Sequence, residues 1–105
     1  RYAYRAAQRL KANGHSIVLL GNKEGFVAGE KIQTEKLPFE DIHTVTLYLN
    51  PIRQPDYYNY IISLKPQRVI FNPGTENEQF EALLSEHSID FIEACTLVLL
   101  ATGQY

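Results

Sequence analysis

The 105-residue chain has no methionine, no tryptophan and a single cysteine. One cysteine closes no internal disulfide and builds no zinc site, so a reducing, cytoplasmic setting is expected. No apolar run approaches the ~18 residues of a membrane span, and no signal-peptide pattern opens the chain. Neither charge is in excess: ten Lys and Arg stand against twelve Asp and Glu, for a formal charge of −2. That balance argues against a broad basic surface for duplex nucleic acid. The missing methionine carries its own expectation. Translation starts at Met, so a chain opening at Arg1 is expected to lack its true beginning.

What remains is ordinary globular material, 45% hydrophobic and 21% charged, enough for one domain over residues 1–105. Tyr2 to Asn13 reads as a helix, with Ala3, Ala6, Ala7 and Leu10 on one face and Asn13-Gly14 as its stop. Ser16 to Leu20 is an unbroken apolar run and predicts a strand buried on both faces, closed by Gly21-Asn22. Residues 21 to 43 carry no regular pattern. Thr44 to Leu49 predicts a second strand ended by Asn50-Pro51. Pro55 then opens a helix with Tyr57, Ile61 and Leu64 as its stripe, and Pro66 ends it. Arg68 to Phe71 is a third strand running into Asn72-Pro73-Gly74. Thr75 and Glu78 fit a capping box for a helix carrying Phe80, Leu83 and Leu84, with His87 near its end. Ile89 to Ile92 is the last strand. The run Thr96 to Leu100 suits either a short packed helix or an extended tail.

Strands alternating with helices imply an α/β fold, a three-layer Rossmann-like arrangement with a parallel sheet covered on both faces. Such a unit does not open on a helix, so a first strand is expected upstream of Arg1. In an open parallel sheet, ligands bind beyond the carboxyl ends of the strands. The segments expected there are Gly21-Asn22-Lys23, Asn50-Pro51, Asn72-Pro73-Gly74 and Glu93-Ala94-Cys95. Three of the four are rich in Gly, Pro or Asn, which let backbone approach a ligand.

Taken in order, the Arg1-Tyr2 helix start, Ile17 to Lys23 with Gly29-Glu30, Leu49-Asn50-Pro51, Phe71 to Gly74 and Ala94-Cys95 resemble the small stand-alone CoA-binding proteins. These are bacterial-type relatives of the CoA-binding domain in the succinyl-CoA synthetase alpha subunit. The resemblance implies non-catalytic binding of coenzyme A or an acyl-CoA. It implies a site drawn from Arg1, Tyr2, Gly21, Asn22, Lys23, Asn50, Pro51, Asn72, Pro73, Gly74 and Cys95. Arg1 and Lys23 would offer positive charge to phosphates, and Asn50-Pro51 a stiff wall to the adenine or upper pantetheine. Cys95 is expected to line the site as a small apolar residue, not to act as a nucleophile.

Two other readings stay open: an NAD(P)-dependent oxidoreductase on the same fold, and an interaction module with the apolar run Leu97 to Leu100 as its handle. Against the first, Gly21-Asn22-Lys23 offers no acidic residue where a ribose hydroxyl would be gripped. His15, His43 and His87 have no metal-ligand spacing, and no serine sits in a nucleophile elbow. Neither a metal nor a catalytic residue is expected. The partner expected is a small molecule, not a nucleic acid or a membrane, with a homodimer left open.

Overall fold

A computed structural model describes residues 2–105. The chain forms two compact units, Arg1–Leu37 with Leu97–Tyr105, and Pro38–Thr96. Each contains a small sheet.

The first unit opens with α1, Tyr2–Ala12, whose Ala6, Ala7 and Leu10 are buried as the periodicity predicts, whereas Ala3 is exposed. The helix stops at Asn13-Gly14. Gly14 takes φ +86°, its N–H bonds Lys11 O at 3.0 Å, and His15 N–H bonds Leu10 O at 3.0 Å. These bonds satisfy the last carbonyls of the helix. The predicted strand at Ser16 to Leu20 shrinks to β1, Leu19–Leu20, and it is not buried on both faces: Val18 is 48% exposed and Leu20 38%. Among the described residues β1 pairs only with β3, Glu30–Gln33, in parallel.

The stretch without regular pattern holds a hairpin. β2, Phe26–Val27, runs antiparallel to β3 through a two-residue turn in which Ala28 (φ 54°) and Gly29 (φ 80°) are both left-handed. Such turns match the twist of the flanking strands, but alanine is an uncommon first residue for one. Lys11 and Glu30 form an ion pair between α1 and this hairpin. The C-terminal run is a helix, α4, Thr96–Ala101, with Leu99 buried.

The second unit is built on parallel strands in the order β4-β5-β6: Thr44–Leu47, Arg68–Phe71 and Asp90–Glu93. Central β5 is buried from Val69 to Phe71, as an apolar run between two neighbours should be, whereas every residue of edge strand β6 is exposed. A 3₁₀ turn, Gln54–Tyr57, carries Pro55 and leads into α2, Tyr58–Ser63. α3 spans Glu78–Glu86. Leu47, Ile61, Val69, Phe71, Phe80, Leu84 and Ile89 form the core. Phe80 stacks on Tyr58 with ring centroids 4.4 Å apart and meets Phe71 edge-on at 5.8 Å. Tyr57, Tyr58 and Tyr60 pack against this cluster, as their spacing beside isoleucines predicts.

The cap of α3 is not Thr75. Asn77 holds that place, with Oδ1 accepting from Phe80 N–H at 3.2 Å, while Thr75 donates its hydroxyl to Asn72 O at 2.7 Å. The turn at Pro73-Gly74 runs two residues further than a capping box at Thr75 allows. His87 is the C-cap of α3, with its Nδ1 3.0 Å from Leu83 O.

Candidate ligand-binding rim

Parallel registration brings the carboxyl ends of three strands to one border of the second unit. Leu47, Phe71 and Glu93 are directly adjacent across the sheet. The segments that follow them, Asn50-Pro51, Asn72-Pro73-Gly74 and Ala94-Cys95, therefore leave the same edge, as expected of a binding rim.

Two buried amides hold this rim. Asn72 is 2% exposed. Its Nδ2 donates to Thr46 Oγ1 and to Leu47 O, both at 2.8 Å, and its Oδ1 accepts from Thr96 N–H at 2.8 Å. Ala94 N–H bonds Phe71 O at 3.0 Å, and the Thr46 and Thr96 hydroxyls lie 2.7 Å apart. One side chain thus ties the end of β4 and the start of α4 to the end of β5. Asn72 serves the rim by holding it, and both of its amide N–H donors are spent inside the unit.

Gln54 does the same on the other side. It is fully buried, its Nε2 donates to Leu49 O and Thr75 O at 2.8 Å each, and its Oε1 accepts from Asn77 Nδ2 at 2.9 Å. Asn77 Nδ2 also donates to Tyr58 Oη at 2.8 Å. Nothing in the sequence pattern singled out Gln54. A glutamine before Pro55 reads as a solvated turn residue, and only the fold shows that three partners converge on it.

With the amides turned inward, the rim presents backbone and apolar surface. Pro73 and Gly74 are exposed; Gly74 has φ +92°, and an added Cβ there would meet nothing within 4 Å. Its N–H bonds Glu76 Oε1 at 2.9 Å. Asn50 is exposed and accepts Arg53 N–H on Oδ1 at 3.1 Å. Pro51 is half-buried, and Ile52 beside it is 89% exposed, an apolar side chain set in water. Arg53, exposed, is the one cation in the rim segments 49–53, 72–77 and 94–96 and was not among the expected site residues. Cys95 is a half-buried free thiol.

The remaining expected site residues belong to the first unit. Gly21 follows β1, bonds Gln33 O through its N–H at 3.0 Å, and lies so close to β3 that a Cβ would sit 3.2 Å from Ile32 Cγ2. Its missing side chain serves that approach. Asn22 and Lys23 are exposed, as is Tyr2 at the start of α1. Arg1 lies outside the described residues.

A family model described as a CoA binding domain matches residues 1–101. The chain belongs to this family. Among solved structures, an uncharacterised protein is 54% identical over all of this chain and 87% of its own, with a TM-score of 0.98. A Thermus thermophilus protein, 19% identical, matches all of this chain and 81% of its own at a TM-score of 0.85. A hypothetical protein from Pyrococcus horikoshii OT3, 21% identical, matches 91% of this chain and 69% of its own at 0.81. The last two likenesses speak to the Rossmann-like fold alone. No curated protein matches.

Coenzyme A combines a polyanionic nucleotide end with a long amphipathic arm. The rim sets apolar Pro51, Ile52 and Pro73 beside accessible main chain at Gly74, where an added Cβ would meet nothing within 4 Å. Among the described residues, no group of three His, Cys, Asp or Glu side chains could hold a metal, and no helix is long and apolar enough to cross a membrane.

Proposed function

We propose that this CoA-binding domain binds coenzyme A or an acyl-CoA without transforming it, at the carboxyl-end rim of β4, β5 and β6. The observation that carries the reading is the rim's construction. Asn72 and Gln54 spend their amides on main-chain and side-chain partners inside the unit. The loops at Asn50-Pro51 and Pro73-Gly74 are thereby held in place before any ligand arrives. Preorganised loops lower the entropy lost on binding. Exposed Ile52 offers apolar area for a pantetheine arm to cover. The surface they present consists of backbone, prolines, an isoleucine and a half-buried thiol, which suits holding a carrier better than reacting with it.

Phosphates require positive charge, and in an acidic chain it must be local. Arg53 at the rim supplies it, and Lys23 in the first unit is assigned the same role on the strength of the family resemblance.

Thermal unfolding tests the reading. A ligand at about 100 times its dissociation constant adds roughly 2.7 kcal/mol, on the order of 10 °C in midpoint for a domain of this size. The expected order is a full shift with CoA, a smaller one with ADP and little with NAD. Equal shifts for CoA and NAD would remove the ground for preferring CoA.

A further inference from the structure

Glu81, in the first turns of α3, keeps 8% of its surface, and its Oε2 is shut off from solvent with no hydrogen-bonding partner among the described groups. The side chain that meets it is another carboxylate, Glu93, the last residue of β6. An ionised Glu81 would lose hydration and be repelled by Glu93, which is itself exposed at the end of β6. A proton on Glu81 turns that clash into an O–H···O⁻ bond to Glu93 and gives the buried carboxyl its missing partner. We infer that buried Glu81 keeps its proton into the neutral range and donates it to Glu93, and that this hydrogen bond latches α3 to the end of β6, so that the latch opens as pH rises.

The charges acting on Glu81 support this. Glu93 faces it from β6 and Glu78 stands near it on its own helix, both negative. Burial first, then the hydrogen bond to Glu93 and the repulsion from Glu93, push the Glu81 carboxyl from 4.5 up to about 7, against a hydrogen bond from the Asn77 main chain that favours the anion. The sign follows from linkage. An acid whose pKa is raised on folding binds its proton more tightly in the native state. The latch is therefore intact below about 4.5 and is lost progressively up to about 7 as pH rises. Its position gives it a consequence, since Glu93 runs directly into Ala94-Cys95-Thr96 at the rim. The inference stands on α3 and β6 and does not depend on which ligand the rim takes.

The test is a carboxyl-carbon NMR titration of Glu81 in the whole chain, together with thermal midpoints of wild type, Glu81→Gln and Glu93→Gln between pH 5 and pH 8. The expected Glu81 midpoint is near 7; a midpoint below about 5, the ordinary carboxylate range, overturns the inference. Wild type should lose on the order of 5–10 °C more than Glu81→Gln over that interval, because the glutamine amide donates to Glu93 at every pH. Equal losses in the two proteins would also overturn it. Glu93→Gln should bring the Glu81 midpoint down by at least one unit, and this reading decides the matter if Glu81→Gln does not fold.

Discussion

Replacing Asn72 by alanine removes three side-chain hydrogen bonds at once, to Thr46 Oγ1, Leu47 O and Thr96 N–H. The Thr46 hydroxyl can turn to Thr96 Oγ1, 2.7 Å away, so its loss is small. Leu47 O and Thr96 N–H have no such recourse: Leu47 and Thr96 are buried, and alanine offers neither donor nor acceptor. A hydrogen bond contributes about 1 kcal/mol net, and a buried group left without a partner costs about 1–3 kcal/mol. Two stranded groups and the vacated amide volume together give roughly 3–4 kcal/mol. For a domain of this size, that is on the order of 15 °C in thermal midpoint. Urea unfolding is the suitable assay, because a lower midpoint at unchanged slope separates lost stability from a changed unfolded state. A cost below about 1 kcal/mol at unchanged slope would refute the claim that Asn72 ties the rim together. In the folded fraction of the variant, CoA affinity should also fall, since the loops would lose their common anchor.

Gln54→Leu should cost about 2–4 kcal/mol by the same reasoning, read by the same unfolding experiment, since Leu49 O and Thr75 O both lose a donor. Gly74→Ala should destabilise by about 1 kcal/mol through its left-handed backbone alone, because the added methyl meets open space; calorimetry checks the size. Lys23→Glu should weaken CoA binding more at low salt than at high, as an exposed charge contact requires; equal affinity of the two proteins in a low-salt titration would discard the role assigned to Lys23. Arg53→Ala should weaken CoA and ADP alike, and an unchanged ADP affinity would take Arg53 out of the phosphate assignment.

Elements that bury a periodic face were legible in the sequence. α1 is bounded by its alanine stripe and by Asn13-Gly14, and β5 occupies the four residues its apolar run predicts. The gathering of Asn50-Pro51, Asn72-Pro73-Gly74 and Ala94-Cys95 on one border followed from parallel connections alone. Three things were not legible, each for a physical reason. The β2–β3 hairpin hides because its strands are too short for alternation to register, and because Ala28 takes a left-handed conformation usually given to Asn or Gly. The shift of the α3 cap from Thr75 to Asn77 depends on a bond from Thr75 to Asn72, which two equally good capping residues in one stretch do not reveal. Gln54 and Glu81 read as surface residues because both are polar, yet each is drawn inside by partners distant in sequence. Glu81 does lie next to Phe80 and three residues before Leu84 on the buried side of its helix, a placement that hints at burial without naming Glu93 as its neighbour.

The most direct measurement is a backbone-amide NMR titration of the whole chain with CoA, with NAD as the comparison. Shift changes centred on Ile52-Arg53, Gly74 and Cys95-Thr96 with CoA, and absent with NAD, are the predicted result. Changes centred instead on Lys65 and His87-Ser88, at the opposite ends of α2 and α3, or none at millimolar CoA, would contradict the account.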